Sequence, residues 1–310
     1  MMNRYAPDYF FEFACIKGDC RHSCCIGWEI DIDADSLAYY QSVPGELGRQ
    51  LRENISMEGD AHFRLRDNER CPFLNGEGLC DLIIGLGPEA LCQICDDHPR
   101  FRNYISDREE IGLGLCCEAA GRLILTHREA VQLIQLEDDG AGELVDPDEE
   151  ALLALRDRLI RLFQDRSKSI DNRLRSLLEA AELPDFQPDP GHWCGFLAGL
   201  EHMDPAWPGL LHSLRAEQLR TLPGFDVPFE QLMVYLLYRH LSGATEDGDL
   251  QGRIAYCVLI WQLLRSLLAL TKVPEMDDLI ELCRLYSSEI EYSDENIGAI
   301  LDEIHIRAEI

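Results

Sequence analysis

Ten of the 13 cysteines lie within the first 117 residues: Cys15, Cys20, Cys24, Cys25, Cys71, Cys80, Cys92, Cys95, Cys116 and Cys117. Thiols clustered at gaps of two to four residues are the mark of a metal site rather than of scattered core packing. Thiolate-rich sites suit zinc or iron–sulfur. The adjacent pair Cys24-Cys25 cannot serve one small ion without strain, but it can serve a multi-iron cluster or two neighbouring sites. Cys71, Cys80, Cys92 and Cys95 could equally form a tetrahedral zinc site. Both metals remain open on spacing alone.

The segment Cys92-Gln93-Ile94-Cys95-Asp96-Asp97-His98-Pro99-Arg100 adds two further groups. His98 is read as a loop imidazole rather than a ligand. A guanidinium at Arg100 could tune an anionic cluster or hold a carboxylate, and a salt bridge to Asp96 or Asp97 is the equal alternative. Asp31-x-Asp33-x-Asp35 fails as a calcium loop, because no glycine stands at the sixth position and Ser42 replaces the bidentate glutamate. No glycine-rich loop sits between a strand and a helix, which removes dinucleotide and P-loop chemistry. Cys194, Cys257 and Cys283 read as core thiols.

The elements that must hold the thiols look short. Tyr9–Phe13 reads as extended. Trp28–Asp33 alternates apolar and acidic residues like a half-buried strand. Asp35 or Ser36 is a suitable N-cap for a helix starting near Leu37. Cys71–Cys80 reads as a tight loop turning at Asn75-Gly76. A helix opened by Pro88-Glu89 is expected to carry Cys92 and Cys95, and another is expected from Cys117 to about Leu136. Gly140-Ala141-Gly142 and Asp146-Pro147-Asp148 mark a linker. Beyond it, periodicity predicts helices at Glu149–Gln164, Asn172–Leu183, Ala206–Thr221, Phe229–Leu241, Arg253–Leu270, Asp277–Ser287 and Asp294–His305. The expectation is a mainly α protein: residues 1–137 a cysteine-rich region of short helices, strands and loops around a metal cluster, residues 138–310 an α-helical bundle serving substrate recognition.

The net charge of −29 is spread along the chain. Residues 1–120 hold 11 basic and 22 acidic side chains, the rest 17 and 35. Without a basic stripe, nucleic-acid binding is disfavoured, and a cationic partner is compatible. Lysines number three: Lys17, Lys168 and Lys272. No export signal is visible, and the apolar stretch Ile254–Thr271 is too short and too interrupted to span a bilayer. A cytoplasmic protein with reduced thiols is expected.

Several blocks in one order resemble the flagellin lysine-N-methylases: Phe13-Ala14-Cys15; Cys20-x3-Cys24-Cys25-x2-Trp28-x-Ile30; Cys71-Pro72-Phe73-Leu74 with Gly78-Leu79-Cys80; Cys95-x3-Pro99-Arg100; and Cys116 with Glu118-Ala119-Ala120. The resemblance covers roughly residues 5–125. It implies methyl transfer from S-adenosylmethionine to lysine ε-amines of a protein, flagellin or another, dependent on a [4Fe–4S] cluster. Position by position it places the metal ligands on Cys15, Cys20, Cys24, Cys25, Cys71, Cys80, Cys95 and Cys116. Cys92 stands where serine is expected and Cys117 where proline is expected, so both are set aside as ligands. Arg100 and Glu118 would orient the cofactor. No catalytic residue is implied. The reading from a different class is a protein-binding module stapled by zinc or a closed cluster, without catalysis.

Overall fold

Helix dominates the computed structural model, which describes residues 3–137, 146–184, 186–214 and 221–308. The linker glycines 140–142 therefore lie outside the described residues, as does the expected boundary at 138. The chain divides into two units by contact, one of Met1–Phe13, Arg102–Cys116 and Ala120–Ile310, the other of Ala14–Phe101 with Cys117–Ala119.

In the first unit, two helices are apolar almost all round and consequently buried almost all round, Asp226–His240 and Leu250–Leu268. The stretch Ile254–Thr271 thus belongs largely to a core helix. Among the described residues no helix is long and apolar enough to cross a membrane. Trp261 is fully buried between Phe163 and Phe229, both edge-on with ring centroids at 5.6 Å, and its indole N–H donates to the Phe229 carbonyl at 2.8 Å. Helix Met276–Tyr286 opens with a capping box of Glu275 and Asp278 and runs into a π-helical turn, Ser287–Glu291. Helix Asp294–Ala308 closes the described chain.

A four-stranded sheet is ordered Arg100–Ile105, Arg108–Leu113, Asn3–Pro7, Leu133–Glu137, all of it in the first unit except Arg100 and Phe101. Asn3–Pro7 pairs parallel with Arg108–Leu113 and antiparallel with Leu133–Glu137. The helix expected from Cys117 to Leu136 ends at Thr126, and Leu133–Glu137 is a strand instead. Its registry with Asn3–Pro7 supplies the tertiary hydrogen bonds that override helical propensity. Under the sheet, Glu110 and Arg156 are both wholly buried and joined by two bonds of 2.6 Å.

In the second unit, Ile55–Ser56 and His62–Phe63 pair as a two-stranded antiparallel sheet. Trp28–Asp33 shows the predicted alternation, with Ile30 and Ile32 buried and Glu29 and Asp31 exposed, but it makes only an isolated bridge, Asp31 to His62. Tyr9–Phe13, expected to be extended, contains a 3-10 turn at Phe10–Glu12. The first helix is Ala34–Ser42, and its N-cap is Asp33, whose carboxylate accepts from the Ser36 amide at 2.9 Å. The Cys71–Cys80 loop closes as expected: the Asn75 amide donates to the Leu79 carbonyl, and Gly78 sits at φ +74°. Pro88-Glu89 opens a separate 3-10 turn, so the helix carrying Cys95 is shorter, Gln93–Asp97, with Cys92 at its N-cap.

Candidate functional site

A single packed core in the second unit gathers five thiols. Cys71 and Cys92 are buried within it, and Cys25, Cys80 and Cys95 pack against it, beside Tyr40, Phe63 and Phe73. Backbone bonds hold the arrangement: the Cys71 amide donates to the Cys25 carbonyl at 2.8 Å, and the Cys95 amide to the Cys92 carbonyl at 3.0 Å. The Tyr40 hydroxyl donates to the Ala90 carbonyl at 2.7 Å, fixing the turn before Cys92. All 13 cysteines are free thiols.

Burial alone should raise every one of these thiols, and it does so for Cys71, pushed up to about 12, and for Cys80. Two behave oppositely. A hydrogen bond from Cys24 pulls Cys25 down to about 7, against the cost of burial. The bond from Cys95 likewise lowers Cys92 against the cost of burial, with the Cys95 backbone amide assisting. The paired partners, Cys24 and Cys95, are raised by the same bonds and by burial. Thiolate is the ligating and nucleophilic form, so Cys25 and Cys92 are the donors nearest to readiness at neutral pH.

A second neighbourhood comprises Cys15, Cys20, Cys24 and Cys117: the charges of Cys15 and Cys117 both reach Cys20 and Cys24, adding to the rise that burial gives Cys20 and that the Cys25 bond gives Cys24. The Cys15 sulfur accepts the Lys17 amide at 3.3 Å, and the Cys20 thiol donates to the His22 carbonyl at 3.2 Å. Buried Glu118 accepts the Arg21 amide at 3.0 Å and lies 3.5 Å from its guanidinium. It therefore anchors the Cys20–Cys25 loop. Arg100 donates to the Asp96 carbonyl at 2.8 Å, closing the turn after Cys95. Burial, with Arg100 adding to it, lowers His98 to about 4, which keeps its ring neutral beside Trp28.

Of the eight thiols assigned by resemblance, seven lie in the second unit. Cys116 lies in the first, where it donates to the Tyr292 hydroxyl at 3.3 Å. Cys92 and Cys117, which the resemblance sets aside, both stand among the clustered thiols. Among the described residues, no three His, Cys, Asp or Glu side chains converge on a single-ion site.

The first unit carries a polar network that spacing did not reveal. Wholly buried Glu291, at the end of the π-helical turn, accepts from Tyr235 at 2.8 Å and lies 2.8 Å from His240 Nε2 and 3.7 Å from Arg239. The Tyr256 and Tyr286 hydroxyls are bonded at 2.7 Å next to it, and Arg239 lies over the Tyr292 ring. Glu291 lies 51 residues from His240 and 56 from Tyr235 along the chain, so local sequence pattern does not mark the network. Despite burial, the Arg239 charge and the hydrogen bond from His240 hold Glu291 down at about 2, while burial lowers His240 below its ordinary 6.5.

Both shifts work in one direction. His240 stays neutral in the fold, so stability is complete above pH 6.5 and declines as the unfolded chain takes up that proton below it. The Glu291 contribution is complete above 4.5 and is lost as pH falls through about 2. Urea denaturation from pH 7.5 to 5 should show falling stability, and His240→Gln should flatten that slope. An unchanged slope in the variant would contradict the assignment.

Comparison with known proteins brings both regions into view. Residues 215–309 match the FliB lysine N-methylase C-terminal domain. That span includes Tyr235, Arg239, His240, Glu291 and Tyr292. The Lysine-N-methylase of Salmonella typhimurium is 27% identical over 135 residues, 41% of this chain and 33% of the relative. The Lysine-N-methylase of Salmonella choleraesuis matches to the same extent. The flagellar biosynthetic protein FliU of Salmonella muenchen is 26% identical over 134 residues, 41% of this chain and 79% of the relative. The match thus spans about a third of the two methylases. No solved structure matches.

Proposed function

We propose that this chain, which belongs to the flagellin lysine-N-methylase family, is a protein-lysine methyltransferase that takes its methyl group from S-adenosylmethionine and depends on a [4Fe–4S] cluster. The observation that carries this reading is the core of five free thiols, two of them acidified by their neighbours. A cubane takes its thiolates at separate corners, so donors spread around one core suit it better than they suit a lone ion. Cys25, Cys71, Cys80 and Cys95 are the first candidates to hold it, with Cys15, Cys20 and Cys24 as a neighbouring set. Held by three of the first four thiolates, a cluster would supply a site for binding the amine and carboxylate of the methyl donor.

The protein's own groups do the rest. Glu118 fixes the Cys20–Cys25 loop through Arg21, and Arg100 stiffens the turn behind Cys95, where its positive charge would favour the donor's carboxylate. If transfer is polar rather than radical, the neutral amine attacks the methyl carbon in line with the breaking carbon–sulfur bond, and a proton acceptor for the amine is required. One relative is named a flagellar biosynthetic protein, which supports flagellin or another flagellar protein as the substrate.

The test is anaerobic incubation of the loaded protein with methyl-labelled S-adenosylmethionine and a lysine-rich flagellin, read by label in the target. Transfer onto lysine that disappears when target lysines are acetylated is the expected result. A loaded protein that binds the target but transfers no label would leave a metal-stapled binding module in its place.

A further inference from the structure

A groove of about 720 Å³ opens in the second unit on the side of helix Gln93–Asp97 that carries Ile94 and Asp97. Its floor is apolar, built from Ile32, Leu37, Met57 and Ile94, and Met57 is 62% exposed there. Asp31, Asp33, Asp60 and Asp97 border it, and neither lysine nor arginine lines it. Such a floor with an anionic border matches one side chain closely: lysine, with its four-carbon apolar stem and a compact cation at the tip.

The groove is built into the thiol region. The Asp33 carboxylate caps helix Ala34–Ser42 and also accepts the Gln93 amide at 2.8 Å, joining that helix to the one bearing Cys95. The Asp33 charge reaches Cys92 and Tyr40 of the thiol core. One wall is the Met57–Ala61 turn, held by the Ile32 amide donating to the Ala61 carbonyl at 2.7 Å.

We infer that this groove docks an extended, lysine-bearing segment of the protein substrate, the lysine stem over Ile32, Leu37 and Met57 and the ammonium among the border carboxylates. The inference rests on the lysine-methylation reading, and it assigns the step before chemistry: recognition of the cationic segment beside the thiol core. Asp31 and Asp60, both exposed, supply long-range attraction, while the apolar floor selects the stem.

The experiment uses the full chain and a fluorescent peptide carrying two lysines in an alanine background, followed by anisotropy at low salt. Asp31→Asn/Asp60→Asn should bind about tenfold more weakly, and Met57→Ser severalfold more weakly at unchanged net charge. Nε-acetylation of the peptide should abolish binding. Since all three positions are exposed, the variants keep the wild-type thermal midpoint. Equal affinity in wild type and both variants, or no binding to the wild type, would overturn the inference. If binding maps to the groove but no methyl transfer occurs, the groove stands and the methylase reading falls. Transfer with binding indifferent to these residues has the reverse meaning.

Discussion

Alanine at Cys25 is expected to abolish metal loading, so that anaerobically purified protein carries near-zero iron where the wild type carries a full cluster. Cys25 is one of the two acidified thiols of the core, its carbonyl holds the Cys71 amide, and it sits in charge contact with Cys71, Cys80 and Cys95. Its loss removes a donor and the hinge between the two thiol neighbourhoods. Cys283→Ala is the control, because that thiol is wholly buried in the helical unit and should leave iron unchanged. Iron retained in Cys25→Ala would place the cluster elsewhere.

Glu110→Ala should be the most destabilising single change in the first unit. It leaves the fully buried Arg156 guanidinium charged and without its two 2.6 Å acceptors. Stripping one partner from a buried pair costs about 3–5 kcal/mol. The thermal midpoint should fall by on the order of 10 °C. The double variant Glu110→Leu/Arg156→Met should recover most of that loss, since no charge remains buried. A single-variant cost below about 1 kcal/mol would mean that water reaches the pair.

The later helices were legible because period and caps agree. Phe229–Leu241, Asp277–Ser287 and Asp294–His305 each fall within a few residues of the observed Asp226–His240, Met276–Tyr286 and Asp294–Ala308. The sheet was not. Asn3–Pro7 gains its strand character from partners more than 100 residues away, and Leu133–Glu137 reads locally as the end of a helix. Glu110 is buried against an arginine 46 residues on, a pairing that nothing local in the sequence marks.

The cysteine region was legible as a set and less so member by member. Spacing marked the thiols as a group, and the fold gathers nine of them into one unit. Which ones meet depends on loop paths that spacing does not encode. Asp33 ties helix Gln93–Asp97, with its Cys92–Cys95 turn, to helix Ala34–Ser42, and Cys116 faces Tyr292 while Cys117, next in the chain, stands with Cys20 and Cys24. The Glu291 network is the larger omission, since its carboxylate enters the core through a π-helical turn that leaves no mark in hydrophobic periodicity.

The most direct test of this account is iron and acid-labile sulfide per chain in anaerobically purified full-length protein, with its visible absorption. Equal iron and sulfide in a brown protein, with broad absorption that changes on adding S-adenosylmethionine, is the predicted result. A colourless protein holding zinc, or holding no metal after anaerobic reconstitution, would contradict it.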